Sequence, residues 1–182
     1  MYESLFKSPM QRVFLYGTLK RGEPNHKLIT NVENGYAKFL GLGKTISKYP
    51  LVIATRYNIP FTLKRPGIGN QIIGEVYDVD SQMLKKLDDL EEHPNFYVRT
   101  EDNVLLAPES EIKRGESFES IGDATKVWIY ILANFRESLM ELPMYSSYSS
   151  EGSHGLKYQE RYLRDPSYNH REEVTSSNNC SA

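Results

Sequence analysis

Cysteine occurs once in the 182 residues, as Cys180. No disulfide can therefore form within the chain, which suits a reducing compartment. Long hydrophobic runs are missing too. None approaches the roughly 18 residues that a membrane helix needs, and the opening MYESLFKSPMQR is too charged for a secretory signal. Nor is there an excess of one charge: 22 Lys and Arg stand against 24 Asp and Glu, a net charge of -2. That balance removes the electrostatic case for a nucleic acid or an anionic membrane as partner, and aromatics are not interleaved with basic runs. His26, His93, His154 and His170 lack H-x-x-x-H or Cys/His ligand spacing, so no metal site is expected. Phosphate-loop and dinucleotide patterns are absent as well. GLGKT at Gly41 to Thr45 lacks the first glycine and falls in a strand candidate. These absences lead to the expectation of a cytoplasmic, monomeric protein with no metal, cofactor, membrane or nucleic acid.

What the chain does have is enough apolar material, 39% of its residues, for one sizeable core. Short β-rich segments recur between Gly, Pro and Asn signals: RVFLYGTL, FLGLGKTI, YPLVIAT, PFTLKR, NQIIGEVYDV, NFYVRTEDNVLL and TKVWIYIL. Such close spacing predicts an antiparallel or mixed sheet curled into a small barrel, an α+β fold with flanking helices. One long helix is expected within Asp78 to Pro94, capped by Asp80 or Ser81, and a shorter one near Pro24. The expected organisation is an N-terminal extension over 1–11 and a single domain over 12–162. The polar stretch 107–125 reads as a mobile loop, and the polar tail 163–182 as disordered.

An ideal helix advances about 100° per residue. With Leu84 at zero, Met83, Leu87 and Leu90 fall between about 240° and 300° and define the apolar stripe. Asp89 and Glu92 point away from it, and Asp88 sits on its flank. Glu91 lands near 340°, between Leu84 and Leu87 on the face to be buried. Desolvation there raises a carboxyl pKa toward the range useful for proton transfer. The alternative is that Glu91, close to the helix end, swings to solvent or into an ion pair. His93 follows the acidic run and is expected at the surface.

The first strand candidate ends abruptly in YGTLKRG. Consecutive backbone N–H groups in such a turn can bind an anion or meet a developing oxyanion. A plain turn with solvated cations at Lys20 and Arg21 is the simpler alternative. In SYSSEGSHGL, residues Tyr148, Gly152, His154 and Gly155 suit either a pocket rim or an ordinary loop.

Together, FLYGTLKRGEPNH, YPLVIATRYNIPF, GEVYDVDSQMLKKLDDLE and SYSSEGSHGLKY occur in an order that resembles the γ-glutamylamine cyclotransferases of the γ-glutamylcyclotransferase and AIG2-like superfamily. The resemblance runs from about Val13 to Tyr158. It implies a small mixed barrel and a cofactor-independent, lyase-type reaction that closes a γ-glutamyl group into 5-oxoproline and frees an amine, lysine in the best-known case. It further implies that Tyr16, Gly17, Thr18 and Leu19 hold the γ-glutamyl moiety and that Glu91 is the general acid/base. Phe61 stands where the family usually has Trp. A cyclotransferase for glutathione or γ-glutamyl amino acids, or a binding module without turnover, are the other expectations to separate.

Overall fold

Val13 and Phe14, both almost fully buried, lie in the strand that closes a five-stranded barrel. The computed structural model describes residues 9–177, so Cys180 and most of the N-terminal extension lie outside the described residues. Strand β1 (Gln11–Leu15) is followed by the short helix α1 (Lys27–Thr30) and then by β2 (Ala37–Tyr49), β3 (Leu51–Ala54), β4 (Ile59–Thr62) and β5 (Asn70–Val79). Helix α2 (Ser81–Glu91), β6 (Tyr97–Ala107), helices α3 (Glu109–Lys113) and α4 (Phe118–Ile121), and β7 (Asp123–Leu132) complete the domain. The barrel order is β1-β5-β2-β6-β7. All its pairings are antiparallel except the closing one, in which Val13 of β1 lies parallel to Trp128 of β7. Closure leaves no strand edge in this sheet open to another chain. Strands β3 and β4 form a separate hairpin, with Phe61 fully buried against Phe96 and Tyr97.

Gly43 and Gly74 face each other across β2 and β5. A Cβ on Gly74 would stand 2.3 Å from the Leu15 carbonyl oxygen and 2.8 Å from the Phe14 ring, and one on Gly43 would meet the same ring at 3.0 Å. The glycine pair thus makes room for Phe14 inside the barrel.

Helix α2 starts where its cap predicts. Asp80 has extended backbone, and its carboxylate accepts from the Met83 N–H at 2.8 Å. Met83 and Leu87 are fully buried, with Leu84 and Leu90 packed beside them, as the 3.6-residue period requires. The helix ends at Glu92, whose left-handed backbone (φ 54°) donates its N–H to the carbonyls of Asp88 and Asp89. Asp80→Ala should cost about 1 kcal/mol in urea unfolding, the usual worth of an N-cap, with little change in the slope of the transition.

Two expectations fail. The polar stretch 107–125 is not a featureless loop: it carries α3, α4 and the first residues of β7. Phe118 is buried there, and Glu109 pairs with Arg21 at 2.9 Å, so polar composition hid two anchors. The tail is not disordered over its described part either. Residues 161–163 and 170–173 form 3₁₀ turns, and Val174 is fully buried in the main core. The Val174 carbonyl accepts from the Arg136 N–H at 2.7 Å, and Arg136 Nε reaches the carbonyls of Glu172 and Thr175. Arg56 lies 3.3 Å from the Tyr168 ring centre, and Tyr168 donates to Glu173. One apolar side chain and a set of directed polar contacts strap the tail across the domain.

Candidate active site

The first strand ends because Gly17 packs against the hairpin: a Cβ there would lie 3.2 Å from Pro60 Cγ. The turn that follows is held from within. Lys20 N–H donates to the Gly17 carbonyl, Asn25 N–H to the Thr18 carbonyl, and Asn25 Nδ2 to Thr18 Oγ1. No acceptor for the N–H groups of Gly17, Thr18 and Leu19 occurs among the described residues. Lys20 and Arg21 turn elsewhere. Lys20 Nζ donates to the Tyr148 carbonyl at 2.5 Å, and Arg21 pairs with the buried Glu75 at 3.1 Å.

Tyr16, Gly17, Thr18 and Leu19 line a pocket together with Glu91, Tyr97 and Tyr130. The three tyrosines are all buried, and burial first, then the nearby Glu91, raises the pKa of Tyr16. Their hydroxyls are committed to protein acceptors. Tyr16 donates to the Tyr130 carbonyl at 2.7 Å, Tyr97 to the Pro60 carbonyl at 3.1 Å, and Tyr130 to Asp88 Oδ1 at 2.7 Å.

Glu91 is the exception. Its residue is partly exposed because it borders the opening, yet burial of its carboxyl pushes the pKa up from 4.5 to about 7. The positive Arg161 opposes this shift and the negative Glu92 adds to it. No hydrogen bond or ion pair to the Glu91 carboxylate occurs among the described residues. The neighbouring acids are all spoken for. Asp88 takes Tyr130 and, at 3.0 Å, Arg99, Asp89 pairs with Lys85, and Glu92 pairs with Arg171. Of the four acids in LDDLEE, the one on the buried face is the one left free to exchange a proton.

The sequence reading missed the outer wall. Tyr158, Arg161, Arg164, His170 and Arg171, all from the strap, also line the pocket. His170 is held neutral, its pKa lowered to about 4 by burial and then by the surrounding arginines. The spacing R-x-x-R followed by H-R was the available signal, but nothing local ties those residues to a site 70 positions away. His93 is half-buried, not at the surface, and its Nδ1 accepts from the Arg99 N–H at 3.0 Å. Arg99 lies over Trp128, 4.6 Å from its ring centre. Tyr148 is packed in the second core cluster, and His154 bonds its own loop at the Ser149 carbonyl; neither lines the pocket. Among the described residues no group of three metal-ligating side chains converges, and no helix is long and apolar enough to cross a membrane.

A closed mixed barrel carrying a desolvated, unpaired carboxyl beside a loop of free amides is a small-molecule pocket equipped for proton transfer. Residues 13–150 match the family described as gamma-glutamyl cyclotransferase, AIG2-like, and the chain belongs to that family. It is 43% identical to the gamma-glutamylaminecyclotransferases of Mus musculus and of Homo sapiens over 155 residues, which is 85% of this chain and 100% of each relative. The crystal structure of a Mus musculus AIG2-like protein superimposes with a TM-score of 0.76 at 42% identity, covering 85% of this chain and 99% of that one. The strap residues that wall the pocket lie beyond the segment matched to the family.

Proposed function

We propose that the protein is a γ-glutamylamine cyclotransferase, which converts ε-(γ-glutamyl)lysine-type isopeptides to 5-oxoproline and a free amine, with Glu91 as general acid/base. The observation that carries this reading is the uncommitted Glu91 carboxyl with a pKa near 7, in a pocket where the hydroxyls of Tyr16, Tyr97 and Tyr130 are already bound to protein acceptors. The α-amine of the glutamyl group sits beside a free α-carboxylate, is protonated near neutral pH and must lose a proton before it can attack. A carboxylate of raised pKa is a stronger base than an ordinary one, better able to take that proton and still able to return it.

The neutral amine nitrogen attacks the γ-carbonyl carbon of its own glutamyl group, closing a five-membered ring. The carbonyl oxygen becomes an oxyanion, for which the N–H groups of Gly17, Thr18 and Leu19 are unclaimed donors. Glu91 returns the proton to the isopeptide nitrogen, the carbon–nitrogen bond breaks and lysine leaves. The ring nitrogen, positively charged after its attack, gives up its second proton through the carboxylate so freed to the departing amine or to solvent. Atoms balance with no water consumed. The nucleophile belongs to the substrate, so the protein needs no activated serine or cysteine of its own. Its contribution is a folded, near-attack substrate and one carboxyl that carries protons away from the attacking nitrogen and onto the leaving one. Tyr16, Gly17, Thr18 and Leu19 hold the γ-glutamyl half. The single cysteine suits the cytoplasm as its compartment.

The deciding experiment offers the protein ε-(γ-glutamyl)lysine, γ-glutamyl-alanine and glutathione and follows 5-oxoproline by mass spectrometry. Release from the isopeptide alone is the expected result. Release from glutathione alone would transfer the mechanism to another substrate class. No release from any of them by folded protein would leave a binding module.

A further inference from the structure

Arg164 has a feature that the reaction above does not use. Its guanidinium lies 5.1 Å from the ring centres of both Tyr57 and Tyr158, and its Nε donates to the Gln159 carbonyl at 3.0 Å. Nη2, in contrast, is buried with no hydrogen-bond partner, and Arg164 lines the pocket. The Tyr158 hydroxyl, which accepts from Asn25 Nδ2 at 3.0 Å, also interacts with the Arg164 guanidinium but leaves Nη2 unpartnered. The adjacent Asp165 carboxylate is turned to Ser167. A guanidinium fork set between two aromatic rings, with one buried nitrogen unpartnered in a residue that lines the pocket, has the chemistry to receive a carboxylate.

The surrounding charges point the same way. Glu92 is neutralised by Arg171, His170 is neutral, and Glu91 is the proton carrier. Arg161 and Arg164 are then the two cations on the outer wall with no carboxylate partner among the described residues. The glutamyl half already has the unclaimed amides of the Gly17–Leu19 turn on the barrel side. With the glutamyl half held there, the outer wall is left for what the glutamyl group is attached to.

Resting on the cyclotransferase reading, we propose that Arg164 is a specificity-determining residue that binds a carboxylate on the leaving amine. The preferred amine half is then an α-amino acid with a free carboxylate, over an otherwise identical alkylamine.

The test compares ε-(γ-glutamyl)lysine with N-(γ-glutamyl)-1,5-diaminopentane, which is the same molecule without the lysyl carboxylate. The wild-type protein is expected to favour the former in kcat/KM by about tenfold or more, which corresponds to about 1.4 kcal/mol for one charge-assisted contact. Arg164→Met should bring the ratio close to one, through a higher KM for the carboxylate-bearing substrate. Arg164→Lys, which keeps the charge without the fork, should recover only part of the ratio. Equal wild-type rates on the two substrates would overturn the inference with no variant needed, even if Arg164→Met does not fold. An equal fall on both in Arg164→Met would also overturn it, by assigning Arg164 to the glutamyl half or to packing. Turnover of neither substrate would defeat the cyclotransferase reading itself, and this inference with it.

Discussion

Glu91→Gln is expected to lower kcat on ε-(γ-glutamyl)lysine by at least about 10²-fold, the usual lower bound for a lost general acid/base. Glutamine keeps the size and polarity of the side chain but can neither accept the α-ammonium proton nor return one to the leaving nitrogen. The wild-type pH profile carries a second signature. A base with a pKa near 7 gives a rate that rises with pH and levels off above that value. The residual rate of the variant should lack this limb, as measured by kcat/KM between pH 5.5 and 8.5. A variant as active as the wild type would remove Glu91 from the reaction.

The same substitution should stabilise the protein, with a defined pH dependence. Glu91 has a folded pKa near 7, raised from 4.5 chiefly by burial. Between those values the folded state binds more protons than the unfolded one, so stability falls as pH rises through that window. Below about 4.5 the carboxyl is neutral in both states and imposes no such cost. Above about 7 the cost is complete, roughly 2–3 kcal/mol after allowance for the pocket opening. Glu91→Gln removes the ionisation and should unfold at a higher temperature than the wild type at pH 8. The gap should close as the pH approaches 4.5. Scanning calorimetry across that range checks the sign directly.

Phe61→Ala is expected to cost about 3–5 kcal/mol, the range for a large aromatic deleted from a core. Phe61 is fully buried, stacks parallel to Tyr97 at 5.5 Å between ring centres and meets Phe96 edge-on at 6.0 Å. Its removal opens a void under Tyr97, whose hydroxyl holds the Pro60 carbonyl and whose ring borders Glu91's pocket. Activity should therefore fall along with stability. Phe61→Trp offers the contrast. With no exposure at this site, the larger ring must displace neighbours, and overpacking should cost about 1–3 kcal/mol. Denaturant midpoints of the two variants measure both effects.

Much of the molecule was legible in the sequence because its signals are local. Alternating apolar residues and turn signals located all seven strands, and the helical angle of one acid separated Glu91 from Asp88, Asp89 and Glu92. Strand β3 and its partner β4 were legible as strands, but not as a hairpin outside the barrel sheet, since pairing is decided by distant neighbours. The strap was not legible for the same reason. Its hold depends on Val174 reaching a core built mostly from residues before 145, and on Arg171 finding Glu92 at the end of α2. A single valine in a polar run carries no period to read. Phe118 hid in the same way in the stretch between β6 and β7.

The parallel contact of β1 with β7 has a consequence for the order in which the protein is made. Synthesis delivers β1 and the Tyr16–Leu19 turn before the rest of the barrel, but β1 has no neighbour on its β7 side until Trp128 has been added. Glu91 enters its pocket before the outer wall exists, because Tyr158, Arg164 and Arg171 come later still. A nascent chain is therefore an open sheet with an exposed β1 edge until β7 has been made, and such edges invite pairing with other chains. Barrel closure, and after it the fastening of Val174, turn that vulnerable intermediate into a finished enzyme. The site is assembled from segments far apart in the chain, and its outer wall is added after the barrel that it covers.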